Sequence, residues 1–174
     1  DFLLLPSEET VFLMKGYAGT GKTTLTAALV RTLEQLKWKT VLLAPTGRAA
    51  KVFSGYAGHP AYTIHKKIYR QKSFSNETDN FTANQNLHRN TLFIVDEASM
   101  IANEGLSGGH FGTGRLLDDL VQYVYNGMGC RLMLVGDTAQ LPPVGEEESP
   151  ALSVSVLQGY GLEVKECMLT QVVR

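Results

Sequence analysis

The segment Gly16-Tyr17-Ala18-Gly19-Thr20-Gly21-Lys22-Thr23 fits the pattern G-x-x-x-x-G-K-[ST] without a mismatch. Its glycines let successive backbone N–H groups turn inward and form a nest for an anion. A helix opening at Lys22 would point its positive dipole end at the same place. In that geometry Lys22 reaches the β- and γ-phosphates of a nucleotide and the Thr23 hydroxyl ligates Mg²⁺. A Gly-rich turn between a strand and a helix could look the same. What favours phosphate binding is that a buried strand precedes the segment and a helix follows it.

A second chemical element is Asp96-Glu97, delivered by the apolar run Leu92-Phe93-Ile94-Val95. Open α/β sheets bind ligands at the carboxyl ends of their strands. Asp96 there would hold Mg²⁺, directly or through water, and Glu97 would take a proton from an attacking water. Alone, an Asp-Glu pair is more often an exposed strand end; the apolar run and the upstream cradle shift the balance. A third loop, Gly136-Asp137-Thr138-Ala139-Gln140-Leu141-Pro142-Pro143-Val144, follows the run Leu132 to Val135. The Gln140 amide can donate to a phosphate oxygen and accept from a water. By itself this loop reads more simply as an ordinary turn.

These loops need strands to hold them. Val11 to Met14, Thr40 to Ala44, Leu92 to Val95, Arg131 to Val135 and Val164 to Leu169 read as five strands, mostly continuous apolar runs of the kind buried on both faces. Lys22 to Leu36 reads as a helix with Leu25, Ala28, Leu29, Leu33 and Leu36 on its apolar face. Thr46 to Ser54 starts a second helix and Arg115 to Tyr125 forms a third. Strands alternating with amphipathic helices predict an α/β fold, a central parallel sheet covered on both faces. Gln71 to Asn90 and Ala102 to Gly114, polar and poorly periodic, read as surface insertions.

The 174 residues suit one domain, and 44% hydrophobic with 19% charged residues is ordinary for a soluble chain. No apolar run reaches the roughly 18 residues of a membrane span. The start Asp1-Phe2-Leu3-Leu4-Leu5-Pro6 lacks the form of a signal peptide. Cys130 and Cys167 have no metal-ligand spacing and read as reduced, buried thiols in a cytoplasmic protein. The net charge of −1 does not announce a nucleic-acid binder. From Arg48 to Ser75, however, there is no Asp or Glu; Arg48, Lys51, Lys66, Lys67, Arg70 and Lys72 stand there with Tyr56, Tyr62 and Tyr69 between them. Such a stripe suits a polyanion or is merely a solvated basic surface.

The three segments, in this order, resemble the superfamily-1 helicases, in the branch that contains RecD, phage Dda and the TraI helicase domains. Gly16 to Thr24 resembles motif I, Ala44-Pro45-Thr46-Gly47-Arg48-Ala49-Ala50 motif Ia, and Thr63-Ile64-His65 the Thr-x-His element that follows it. Asp96 to Met100 resembles motif II, Gly136 to Val144 motif III, and Leu169 to Arg174 the start of motif IV. The resemblance covers essentially the whole chain and implies a RecA-like P-loop domain that binds ATP and Mg²⁺. It places Gly16, Gly19, Thr20, Gly21, Lys22, Thr23 and Thr24 on the nucleotide, and Thr23 and Asp96 on the metal. Glu97 would activate water, with Lys22, Gln140 and Arg174 at the γ-phosphate. Pro45, Thr46, Arg48, Thr63 and His65 would line a track for single-stranded DNA, travelled 5′→3′.

Two departures matter. No Gln precedes Gly16, although the family has an adenine-contacting Gln upstream of the cradle. A second RecA-like domain, which in the family closes over the ATP, is expected beyond Arg174, so the chain is expected to be the first motor domain alone. The alternative is a nucleotide-dependent switch or kinase using the same cradle without a DNA track. A kinase needs an acceptor pocket and a lid of arginines, and neither is evident.

Overall fold

A computed structural model of the chain describes residues 9–17, 21–71, 81–83, 85–101, 115–137 and 149–169. The strands are β1 (Thr10–Gly16), β2 (Lys39–Ala44), β3 (Ala61–Thr63), β4 (Tyr69–Gln71), β5 (Phe81–Ala83), β6 (Thr91–Val95), β7 (Arg131–Asp137) and β8 (Glu163–Leu169). The helices are α1 (Lys22–Gln35), α2 (Gly47–Ala57), α3 (Ile64–Ile68), α4 (Leu116–Asn126) and α5 (Val154–Gln158).

Six strands form one sheet in the order β3-β2-β6-β7-β1-β8, and every pairing in it is parallel. The central strand β6 is buried at all five positions, as its unbroken apolar run requires. Side chains alternate across the sheet and separate the core into two layers. Val11, Leu13, Val41, Leu43, Phe93, Val95, Leu132 and Leu134 face α3, α4 and α5. Met14, Leu42, Leu92, Ile94, Met133 and Val135 face α1 and α2. Helices therefore cover both faces, the expected architecture.

The five anticipated strands are all present, extended by one to three residues. The sixth, β3, has only three residues, too few to show a period; it is held by pairing Leu42 with Ala61 and Ala44 with Thr63. The apolar face assigned to α1 needs correcting. Thr26, Ala27, Val30 and Leu33 are its buried residues, whereas Leu25 is 46% and Leu36 63% exposed. A polar residue hides in the stripe because the Thr26 hydroxyl donates to the Lys22 carbonyl at 2.7 Å, satisfying itself within the helix.

The stretch from Gln71 to Asn90 is not wholly a surface insertion. Asn86 is buried; its amide donates to the carbonyls of Tyr123 (2.9 Å) and Val124 (3.2 Å) in the last turn of α4. Tyr69–Gln71 and Phe81–Ala83 pair as an antiparallel ribbon. Cys130 is buried as expected, but Cys167 is only partly covered, because β8 is an edge strand with no fully buried position. The whole Ala102 to Gly114 insertion, and the start of the chain, lie outside the described residues. Among the described residues no helix is long and apolar enough to cross a membrane.

Candidate functional site

Strand register brings the chemical residues to one edge. Val95 stands level with Leu43 of β2 and with Leu134 of β7, while Gly16 stands level with Asp137 and Leu169. Ala44 stands level with Thr63. The cradle after β1, motif-like residues 45–48 after β2, Thr63 ending β3 and Asp96-Glu97 after β6 thus share the carboxyl-end edge.

At the cradle, Gly21 has φ 89°, a left-handed conformation that glycine adopts without steric penalty, and caps α1. No side chain caps this helix and its first turn holds no acidic residue. Its first amides are thus left for an anion. The Lys22 ammonium folds back over the loop and donates to the carbonyls of Gly16 (3.2 Å) and Tyr17 (2.9 Å). Thr23 and Thr24 are exposed in the first turn. Gly19 and Thr20 lie outside the described residues, as do Gln140 and Arg174.

Asp96 is fixed from several directions. Its amide donates to the Leu43 carbonyl at 3.0 Å, tying it to β2. Its Oδ1 accepts the Glu97 amide at 2.8 Å, and its Oδ2 accepts the Tyr56 hydroxyl from α2. Burial, then the charge of Asp96, its hydrogen bond and the charge of Glu97, push the Tyr56 hydroxyl above its ordinary pKa, so it stays protonated and donates. Glu97 takes φ 54°, left-handed for a residue with a side chain.

An all-oxygen set of a Thr hydroxyl and a carboxylate suits a hard cation such as Mg²⁺. Among the described residues no group of three or more His, Cys, Asp or Glu could hold a metal by itself.

The residues named for a DNA track gather at the same edge. Thr46 caps α2, accepting from the Ala49 amide at 3.1 Å, and Thr63 caps α3, accepting from the Lys66 amide at 3.1 Å. Each hydroxyl spends an acceptor lone pair on its helix and keeps its proton, which can be donated to a phosphate oxygen. Pro45 is partly covered and Arg48 is exposed. Thr46, Arg48, Ala49, Val52, Asp96, Glu97 and Met100 line one cleft of ≈ 250 Å³, so two of the track candidates, Thr46 and Arg48, share it with the carboxylates, while Pro45, Thr63 and His65 do not line it. Burial lowers the pKa of His65, leaving it neutral at pH 7, a hydrogen-bonding group and not a cation.

The aromatics of the basic stripe divide. Tyr56 serves Asp96, and Tyr69 is buried with its hydroxyl donating to Asp119 at 2.6 Å. Tyr62 is 41% exposed, with the Lys66 and Lys67 ammonium groups 5.8 and 5.9 Å from its ring centre. Sequence reasoning counted Tyr56 only as one aromatic of this stripe. Nothing in its spacing announced a contact with a carboxylate forty residues on.

Residues 3–174 match the family described as "AAA domain". Over 133 residues the chain is 34% identical to the ATP-dependent RecD2 DNA helicase of Deinococcus radiodurans, covering 76% of this chain and 16% of that protein. It is 30% identical over 142 residues to the ATP-dependent DNA helicase Pif1 of Bdellovibrio bacteriovorus, covering 81% of this chain and 31% of that one. Among solved structures, the Pif1 helicase from Candida albicans superposes with a TM-score of 0.55 at 18% identity, over 98% of this chain and 40% of that chain. A Pif1 helicase from Bacteroides, in complex with ADP-AlF3 and ssDNA, gives 0.52 at 21% identity, over 99% and 41%. These structures share the RecA-like fold of this chain. The chain thus spans less than a third of either curated relative.

Proposed function

Because the chain belongs to the AAA domain family, matched over residues 3–174, we propose that it is the ATP-binding RecA-like motor domain of a DNA helicase. In this reading the parent protein couples ATP hydrolysis to movement on single-stranded DNA, 5′→3′ by resemblance to its branch, in the cytoplasm. A second RecA-like domain of the parent would close over the nucleotide. The observation that carries the reading is the shared edge: the Lys22 ammonium reaches back to the carbonyl of Gly16 at the carboxyl end of β1, and Asp96-Glu97 follow the carboxyl end of β6 in the same parallel sheet.

The cradle from Gly16 through Thr24 wraps the phosphates with backbone amides, and Lys22 exchanges its two carbonyl partners for phosphate oxygens. Thr23 and Asp96 hold Mg²⁺, which when bound neutralises the charge that builds between the β- and γ-phosphates. Glu97 accepts the proton of the attacking water. Gln140 and Arg174 act at the γ-phosphate. Pro45, Thr46, Arg48, Thr63 and His65 hold the DNA strand by its phosphates, contacts that position without reading sequence.

The test is a pair of titrations on this chain, one with a fluorescent ATP analogue and one with a labelled oligothymidylate at low salt. The expected result is saturable binding of both, with strand binding weakening steeply as salt rises. Nucleotide binding with no strand binding at any salt would favour a nucleotide-dependent switch instead.

A further inference from the structure

We propose that Tyr56 is a positioning residue for the metal site, fixing the Asp96 carboxylate in the orientation that receives the cation. The proposal rests on the reading of Asp96 as a Mg²⁺ ligand and extends it to a helix that the motif does not contain.

A carboxylate at the end of a strand can rotate about its last side-chain bond, and an ion that demands near-ideal geometry gains from having that rotation stopped. Here both oxygens are engaged. The Glu97 amide donates to Oδ1 at 2.8 Å and the Tyr56 hydroxyl donates to Oδ2. Each oxygen keeps a further lone pair, so the cation or its water can still be received. The phenol is itself held: its ring stacks on Phe53, centroids 5.2 Å apart at 30°, and Phe53 is fully buried between α2 and the sheet.

The contact also ties two parts of the site. Ala49, Val52 and Tyr56 recur at helical spacing along one stripe of α2, and Ala49 and Val52 line the cleft that Arg48, Asp96 and Glu97 share. The helix that begins at Thr46 and Arg48 is therefore the one that orients Asp96. A shift of α2 on binding a strand would reach the metal carboxylate through one hydroxyl.

The test uses the whole chain with ADP and Mn²⁺ as the probe cation, its free concentration read by electron paramagnetic resonance. Tyr56→Phe keeps the stacked ring and removes only the donor. Its Mn²⁺ affinity in the ADP complex is expected to fall about 10-fold or more, while ADP binding in EDTA stays at the parent value. Asp96→Asn is the reference for the underlying reading. If Asp96→Asn loses Mn²⁺ affinity and Tyr56→Phe matches the parent, the positioning role is overturned and the reading of Asp96 stands. If both variants match the parent, Asp96 is not a ligand and both fall. Should Tyr56→Phe lack the parent far-ultraviolet circular dichroism, the measurement moves to the unmodified chain. Adding Mg²⁺ to the ADP complex must then perturb the tyrosine band of the near-ultraviolet difference spectrum, and an unchanged band overturns the proposal.

Discussion

The ammonium of Lys22 lies 3.2 Å from the carbonyl oxygen of Gly16, the last residue of β1. The cation proposed to meet phosphate thus rests half-buried on the rim of its own loop, donating also to the Tyr17 carbonyl at 2.9 Å.

Replacing Lys22 with Ala should weaken ATP binding by about 10- to 100-fold, the range of a charge-assisted hydrogen bond. Folding stability should change by no more than about 0.5 kcal/mol, because the side chain fills no core space. A fluorescent-nucleotide titration and a urea melt of the same variant check both halves. Unchanged nucleotide affinity would count against the cradle.

Asn86 and Gly127 are coupled through the last turn of α4. A Cβ on Gly127 would come within 2.4 Å of the Asn86 amide nitrogen and 2.7 Å of the Cys130 sulfur. Asn86→Ala strips the donor from the carbonyls of Tyr123 and Val124 and should cost about 1–3 kcal/mol. Gly127→Ala should cost about as much through overpacking. The double variant should cost less than the sum, since the clash with Asn86 disappears while that with Cys130 remains. Additive costs in urea denaturation would show that the two residues do not share this contact.

Stability should plateau near neutral pH and fall on both sides. Burial, together with Asp119, raises the pKa of Tyr69, and burial raises that of Tyr125. As pH climbs past the ordinary tyrosine value of about 10, the unfolded chain loses these protons first and the folded chain keeps them. Folding stability is then lost at about 1.4 kcal/mol per pH unit for each retained proton. On the acid side, burial lowers the pKa of His65, and burial with Lys67 and Lys39 lowers that of His88. Below the ordinary histidine value of about 6.5, the unfolded chain takes up protons that the folded chain refuses, so stability falls again. Urea midpoints from pH 5 to 11 check the shape; a midpoint still rising above pH 10 would contradict it.

How much of this was legible beforehand follows from the range of each signal. Strands β1, β2, β6 and β7 announced themselves because burial on both faces demands unbroken apolar runs. The cradle was legible because anion binding by backbone amides fixes glycine positions within a few residues. The face of α1 was misread because Thr26 satisfies its hydroxyl within the helix, and a count of apolar residues cannot see that. The partners of Tyr56, Tyr69 and Asn86 lie 40, 50 and 37 residues away. No local pattern encodes such contacts; they exist only once the sheet order is set.

Glu97 tests whether function here opposes stability. Its φ of 54° is a conformation that L residues adopt at a cost of about 1–3 kcal/mol and that glycine adopts freely. The strain sits on the residue proposed as the general base, one position after the proposed metal ligand. Glu97→Gln keeps the side-chain shape and the strained backbone, so its folding stability should match that of the unmodified chain while ATP hydrolysis by the proposed full-length helicase fails. Glu97→Gly should lose hydrolysis equally but relieve the backbone. Part of that gain is offset by the extra freedom glycine has in the unfolded chain, leaving a net stabilisation of about 1 kcal/mol over the Gln variant. Urea denaturation of the two variants side by side measures the difference. A Gly variant no more stable than the Gln variant would mean that the turn after Asp96 carries no strain, and Glu97 would then be an ordinary end to its strand.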